Sequence, residues 1–305
     1  MLPFKLVYSN RYDLNLGQHV FPSQKYRLIH DRLLESGIAS PEDFLEPTPA
    51  TDEDILLVHE PGYVQRLKTG TLSYHEIIQM EIPYSRQMVE AVWLATGGTI
   101  LAGRRALADG LAMNISGGFH HAFPDHGEGF CAIHDVAVAI RRLQAEKAIE
   151  RALLIDCDVH QGNGTAAIFA GDNSVFTISI HQYDYYPSEK PESDIDIHLD
   201  DRTGDADYLV ALSARYVPAV ESFRPQLVFY LAGADPYYQD QLGGLSLTME
   251  GLGRRDKLVI GAARRAGAGV AITLAGGYAV QVEDTVAIHC NTVAAAKEAL
   301  EGASA

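Results

Sequence analysis

The chain is poor in cysteine, in positive charge and in long apolar runs, and each shortage closes off a class of protein. Three cysteines occur in 305 residues, Cys131, Cys157 and Cys290, odd in number, widely spaced and with no Cys-x-x-Cys pair. That excludes a disulfide framework and offers no cysteine zinc site, so reduced thiols in a cytoplasmic compartment are the expectation. Lysine and arginine total 24 against 40 aspartates and glutamates, a net charge of −16. No nucleic-acid partner is expected, because such binders neutralise phosphates with a basic surface. A cationic substrate is compatible with this charge, although many soluble enzymes share it. No run approaches the roughly 18 apolar residues that a membrane helix needs. Residues 1–13 lack the basic start and apolar stretch of a signal peptide. A soluble intracellular protein without a membrane span is expected.

What is present suits one large core. At 47% hydrophobic residues, with no internal repeat, low-complexity segment or linker, the chain reads as a single domain over 1–305. Apolar runs predict strands at 4–8, 112–116, 152–155, 175–180, 227–231 and 270–274. Helical spacing predicts helices at 22–35, 135–144, 207–223, 251–266 and 282–301, another after Pro61, and one or two over 84–110. There Gly97-Gly98 marks close packing or a break. Residues 41–49 read as a loop, 55–59 as a short strand or turn, and 183–204 as a long polar loop of the kind that is often functional. Strands alternating with helices predict an α/β fold, a mostly parallel, doubly wound central sheet with helices on both faces.

The unusual residues gather at strand ends. Asp156, Asp158 and His160 follow the run Ala-Leu-Leu-Ile, and in extended chain they share a face. Asp and Gly also build ordinary solvated turns. Burying two unpaired carboxylates is costly, however, and a divalent cation is the simplest offset. Other strand ends carry His120-His121, Asp235 and Tyr278. Ligands of open α/β sheets bind outside the carboxyl ends of strands, so these distant groups are expected in one crevice. Asp158, His160 and Asp235 form a three-ligand set for zinc, with iron(II) or cobalt also suited. Asp156 can orient an imidazole from behind. One histidine of the 120–121 pair can act as general base and then acid, and Tyr278 can donate to a developing oxyanion. Adjacent histidines are often only solvated, and Gly-Gly-Tyr is often only a turn with a packed aromatic. His126, His134, His181 and His289 read as structural or solvated.

With these residues assembled, the chain resembles the zinc-dependent histone deacetylase family, of the arginase–deacetylase fold, over about residues 4–300. The matching stretches are 116–121 (Ser-Gly-Gly-Phe-His-His), 127–131 (Gly-Glu-Gly-Phe-Cys), 156–164, 231–235 with 240–243, and 275–278 (Ala-Gly-Gly-Tyr). They are most similar to the class IV branch and its bacterial relatives. The resemblance implies zinc on Asp158, His160 and Asp235, with His121 as general acid/base. His120 is cast as its electrostatic partner backed by Asp156, and Tyr278 as the carbonyl-polarising group. It implies a channel walled by Phe130 and Tyr186 beside Gly129 and Leu242. A structural monovalent cation, usually potassium, is implied near Asp156, Asp158, His160, Ser179 and Ile180.

Three positions depart from the family pattern. Asn163 stands where class I enzymes place a second aspartate, which predicts a lower pKa for His121 than in those relatives. Tyr186 replaces the usual phenylalanine, and Lys25 stands where many relatives have an arginine lining an internal cavity. The expected activity is removal of an acyl group, acetyl or longer, from an amine by metal-activated water, acyl-lysine being the first substrate. An acetylpolyamine or other small acyl-amine is the nearest alternative, and a catalytically silent acyl-lysine binding module is an alternative of another class. A ureohydrolase of the same fold would need two metals and an Asp-Ala-His-Ala-Asp stretch, which is lacking. The oligomeric state is open, a homo-oligomer included.

Overall fold

The computed structural model describes residues 1–301. In chain order the strands are β1 (Lys5–Val7), β2 (Phe44–Leu45), β3 (Leu111–Asn114), β4 (Ala152–Asp156), β5 (Val175–Gln182), β6 (Ile195–Leu199), β7 (Leu227–Leu231) and β8 (Gly269–Thr273). The helices are α1 (Lys25–Glu35), α2 (Asp52–Ile55), α3 (Pro61–Thr69), α4 (Tyr74–Met80), α5 (Arg86–Asp109), α6 (Asp135–Ala145), α7 (Asn163–Phe169), α8 (Asp205–Phe223), α9 (Met249–Arg265) and α10 (Val282–Glu301). Strands β3, β4, β7 and β8 are buried at every residue. A strand apolar on both faces demands cover on both, which crossover helices supply, and such strands pair in parallel. Among the described residues the strands form one parallel sheet in the order β2-β1-β3-β8-β7-β4-β5-β6. Helices cover both faces, so the expected doubly wound α/β architecture is what the chain adopts.

The order places β3, β8, β7 and β4 side by side at the centre, and the loops after these four strands carry the histidines, Tyr278, Asp235 and the Asp156–His160 segment. Residues up to 158 apart in the chain, His120 and Tyr278, therefore meet at one sheet edge without long excursions.

Two stretches expected as loop carry regular structure, and two open readings resolve to one of their alternatives. Residues 183–204 are not wholly loop: β6 adds an edge strand, paired with β5 from Ile178–Ile195 to Gln182–Leu199. Residues 41–49 contain a 3-10 turn (Pro41–Asp43) and the two-residue β2. Of the strand or turn expected at residues 55–59 the chain takes the turn, which follows the end of α2, a helix started by Thr51, whose hydroxyl accepts from Asp54 N. Residues 84–110 resolve to the single helix α5, unbroken at Gly97-Gly98. Close packing explains the glycines, since a Cβ at Gly97 would strike the Thr48 carbonyl and one at Gly98 the Tyr12 hydroxyl.

A buried polar chain ties α5 to the loop after β3. Tyr12 Oη donates to Asn114 Oδ1 (2.8 Å), and Asn114 Nδ2 donates to Thr99 Oγ1 (3.0 Å). Thr99 Oγ1 in turn donates to Asp135 Oδ2 (2.6 Å), whose carboxylate accepts the N–H groups of Gly118 and Phe119. Nearby, buried His59 bonds through Nδ1 to Phe123 O (3.0 Å) and accepts the His134 N–H at Nε2 (3.0 Å). Both ring nitrogens are committed to the neutral form, and burial lowers the His59 pKa to about 4.

Two consequences are testable. Gly97→Ala is expected to cost about 1–3 kcal/mol, the usual penalty of overpacking, read as a lower denaturant midpoint; an unchanged midpoint would refute the packing account. For His59, the unfolded state binds its proton near the ordinary value and the folded state only near pH 4. Between those values the unfolded state carries more protons, so stability falls as the solution is acidified through that window. His59→Gln, which keeps a donor and an acceptor, should flatten this dependence by one proton's worth in denaturation curves collected from pH 4 to 7.

Candidate active site

Four strand ends build the site, and each delivers its side chain by a different local device. After β3, Asp135 at the first turn of α6 grips the Gly118 and Phe119 amides, so the following His120 and His121 are held without freedom to swing. After β4 the chain turns on its own carboxylates: Asp156 Oδ1 accepts from Asp158 N (3.1 Å) and Asp158 Oδ1 from His160 N (3.0 Å). After β7, Asp235 Oδ1 accepts from Val159 N (3.0 Å). After β8, Gly276 N donates to Asp158 Oδ2 (2.7 Å), and Asp240 Oδ2 accepts the Tyr278 N–H (2.7 Å).

Asp158, His160 and Asp235 each turn one donor atom to a common point, all three within 4.8 Å of one another. All three are buried, and Asp235 Oδ2 has no hydrogen-bond partner among the described residues. Burial and the neighbouring Asp158 charge push the Asp235 carboxyl well up. Two carboxylates so placed cannot both stay ionised in a dry site without a cation. The donor set fits one. His160 turns Nδ1 toward Asp158 and Asp235 while Nε2 bonds to Leu242 O (3.1 Å), the outward bond that fixes a ligating imidazole. Gly276 leaves the space beside the carboxylates open, since a Cβ there would strike both. The trio can hold a divalent ion.

The histidine pair is differentiated. His120 Nδ1 meets Asp156 Oδ2 at 2.6 Å and its Nε2 lies 3.7 Å from Asp158 Oδ1. Burial alone would lower its pKa, but the Asp156 and Asp158 charges outweigh that and lift it to about 9. His121 Nδ1 meets the Asn163 Oδ1 amide oxygen at 2.7 Å. Burial, followed by the charges of His120 and His160, holds it well below the ordinary value, against the upward pull of the Asn163 hydrogen bond. Two titratable rings 4.0 Å apart are thus driven in opposite directions, the pattern of divided acid and base roles. Burial and the Asp158 and Asp235 charges keep the Tyr278 phenol protonated.

Above this floor opens a cleft of about 250 Å³, lined by Glu81, His121, Gly129, Phe130, His160, Tyr185, Tyr186, Leu242 and Tyr278. The four residues expected beside a channel, Gly129, Phe130, Tyr186 and Leu242, are all among them. Tyr185 and Glu81 were not anticipated. Of the group expected around a monovalent cation, Asp156 pairs with Ser179 across β4 and β5 and Ile180 follows, while Ser179 Oγ bonds to His181 Nδ1 (2.9 Å). Lys25 is fully buried, donates to Ala275 O (2.9 Å) and lies over the Phe21 and Tyr278 rings. Asp135, Asp240 and Glu128 support the site without having been assigned roles, although Glu128 and Asp240 lie in the stretches 127–131 and 240–243 that carry the resemblance.

The arrangement predicts one divalent ion per chain, measurable by metal analysis and by thermal unfolding. Saturation at a thousand times Kd adds about 4 kcal/mol. Asp235→Asn, by removing one of two apposed carboxylates, should raise the midpoint of the metal-free chain and abolish the metal-dependent rise. Two ions per chain would support the ureohydrolase reading.

Comparison with known proteins agrees with this geometry. A profile described as the histone deacetylase domain matches residues 19–293. An uncharacterized protein of Picosynechococcus sp. is 42% identical over 287 residues, spanning 94% of this chain and 96% of its own length. Histone deacetylase 2 of Arabidopsis thaliana is 30% identical, over 90% of this chain and 74% of that one. The acetoin utilization protein AcuC of Staphylococcus aureus is 31% identical, over 77% and 66%. A crystal structure of the HDA15 HD domain superposes with a TM-score of 0.81 at 24% identity, covering 95% of this chain and 86% of that one, a likeness of fold. With a domain match across most of its length and relatives at 30% identity or more, the chain belongs to the histone deacetylase family.

Proposed function

We propose that the chain is a divalent-metal-dependent hydrolase, of zinc or iron(II), that removes an acetyl or longer acyl group from an amine, with acyl-lysine as the first substrate. The observation that supports it most is the opening of one cleft onto His121, Tyr278 and His160 at once, with Asp158 and Asp235 turning donor atoms toward the same point as His160. When bound, the ion supplies Lewis acidity toward the acyl oxygen and toward water.

The chain's own residues do the rest. His121, held neutral, takes a proton from the attacking water as the C–O bond forms. The Tyr278 hydroxyl donates to the oxygen on which negative charge develops. His120, paired with Asp156, sets a positive charge beside the reacting centre. When the C–N bond breaks, His121 returns its proton to the departing amine, leaving the enzyme as it began. Phe130 and Tyr186 face the cleft and exclude water from the acyl chain, as flanking aromatics in a narrow channel do. Asp156, Asp158, His160, Ser179 and Ile180 are proposed to hold a structural potassium ion.

One observation favours the small acyl-amine reading: Glu81, exposed and lining the cleft, offers a carboxylate where a second cationic centre of an acylated polyamine would lie. The expected outcome on metal-loaded protein is hydrolysis of lysine peptides carrying acetyl through myristoyl, with a Tyr278→Phe loss of about 10²–10³-fold in kcat. Faster turnover of acetylated polyamines would move the substrate assignment to them. Binding of acylated ligands without turnover of any would leave the silent module as the reading.

A further inference from the structure

Asn163 has an amide where a carboxylate would be simpler, and an amide can face two ways. With its oxygen toward His121, the ring must carry its proton on Nδ1 and leaves the Nε2 lone pair free. With the nitrogen toward His121, Nδ1 must accept, the proton moves to Nε2, and the ring loses its basic atom. Two neighbours bear on this choice. Gly164 N–H donates to Asn163 Oδ1 (3.0 Å), and Asn163 Nδ2 donates to Glu128 Oε1 at 2.6 Å.

Glu128 is itself surrounded by donors. Gln79 Nε2 reaches its Oε2 (3.3 Å), Tyr186 Oη its Oε1 (3.4 Å), and His126 Nε2 lies 3.6 Å from Oε2. Burial acting alone would raise its pKa, but the bonds from His126, Asn163 and Gln79 outweigh it, and the group stays below the ordinary glutamate range. An ionised carboxylate accepts only, so it admits one orientation of the facing amide. The backbone fixes Glu128 as firmly. It exchanges N–H to O bonds with Cys131 (3.0 and 2.8 Å) across a tight turn, with Gly129 at φ 51° and Phe130 at φ 68°.

We propose that Glu128 is a positioning residue that selects the tautomer of His121 through Asn163. The charge lies one side chain further from the imidazole than in relatives with a second aspartate, and the amide passes on its direction. The inference rests on the hydrolase reading for its kinetic consequences but not for the tautomer itself.

The test pairs kinetics with substrate-free spectroscopy, thermal unfolding confirming that each variant folds. Glu128→Ala should lower kcat on the order of ten-fold, the scale of one unsatisfied buried donor, with KM nearly unchanged. Asn163→Asp alone sets two carboxylates against each other and should also lower kcat. Combined with Glu128→Ala it supplies an acceptor-only partner directly and should raise kcat above that of Glu128→Ala. A structural role predicts two losses that multiply, and that result would overturn the proposal. Should Glu128→Ala unfold, Glu128→Gln serves instead: its amide donates to the new carboxylate, so the Glu128→Gln, Asn163→Asp double variant should exceed Asn163→Asp alone. In ¹⁵N spectra of labelled histidine, His121 should be protonated at Nδ1 in the wild type and shift toward Nε2 in Glu128→Ala. A wild type that turns over nothing defeats the hydrolase reading alone. An unchanged tautomer in Glu128→Ala defeats the proposal alone.

Discussion

The repulsion between Asp158 and Asp235 is the constraint on which the rest of the site depends. Two carboxylates at the same dry point repel, and leaving them there is tolerable only if a cation joins them. Around that conflict the chain spends its backbone N–H groups: Val159, His160 and Gly276 all point at these two side chains. Fully buried Arg255 braces the same floor from below, donating from Nη1 to Gly233 O (2.6 Å) and Cys157 O (3.3 Å), the residues just before the loops that bear Asp235 and Asp158. Its own charge is matched by Asp256, which Tyr230 and Thr292 also bond.

The electrostatics then divide labour without any difference in residue type. His120 and His121 are neighbours in the chain, equally buried, and differ in what stands behind them: a carboxylate for one, an amide for the other. Geometry at second remove, rather than the reacting group, decides which ring is charged. The same logic puts Tyr278 among acidic neighbours that keep its proton on, so that it can donate.

The central architecture was legible because its strands are apolar on both faces and end in residues that a core would reject. Asp156, Asp158, His160 and Asp235 announce themselves by following Ile155 and Ala234 directly, where buried carboxylates demand a reason. What escaped reading lacks such contrast. β6 alternates Ile-Asp-Ile-His-Leu, an edge-strand pattern, but at five residues after a polar, proline-bearing stretch it stands out little from the loop before it. β2 is two residues long and exists only because β1 pairs with it. Glu128, Asp135 and Asp240 act through partners 35, 17 and 38 residues away in the chain. An acid beside glycine or at a helix start looks solvated until the fold supplies those partners, so their roles belong to tertiary structure alone.

Phe130 occupies a left-handed backbone conformation that a bulky side chain adopts only when its surroundings compel it. The same turn presents its ring to the cleft and Glu128 to the Asn163 amide. Width of the cleft and orientation of the Asn163 amide are therefore mechanically linked across three consecutive residues. A lineage remodelling this wall would disturb the Glu128–Asn163 contact at the same stroke. Leu242, whose apolar side chain lines the same cleft, offers a way to reshape the opening away from that turn.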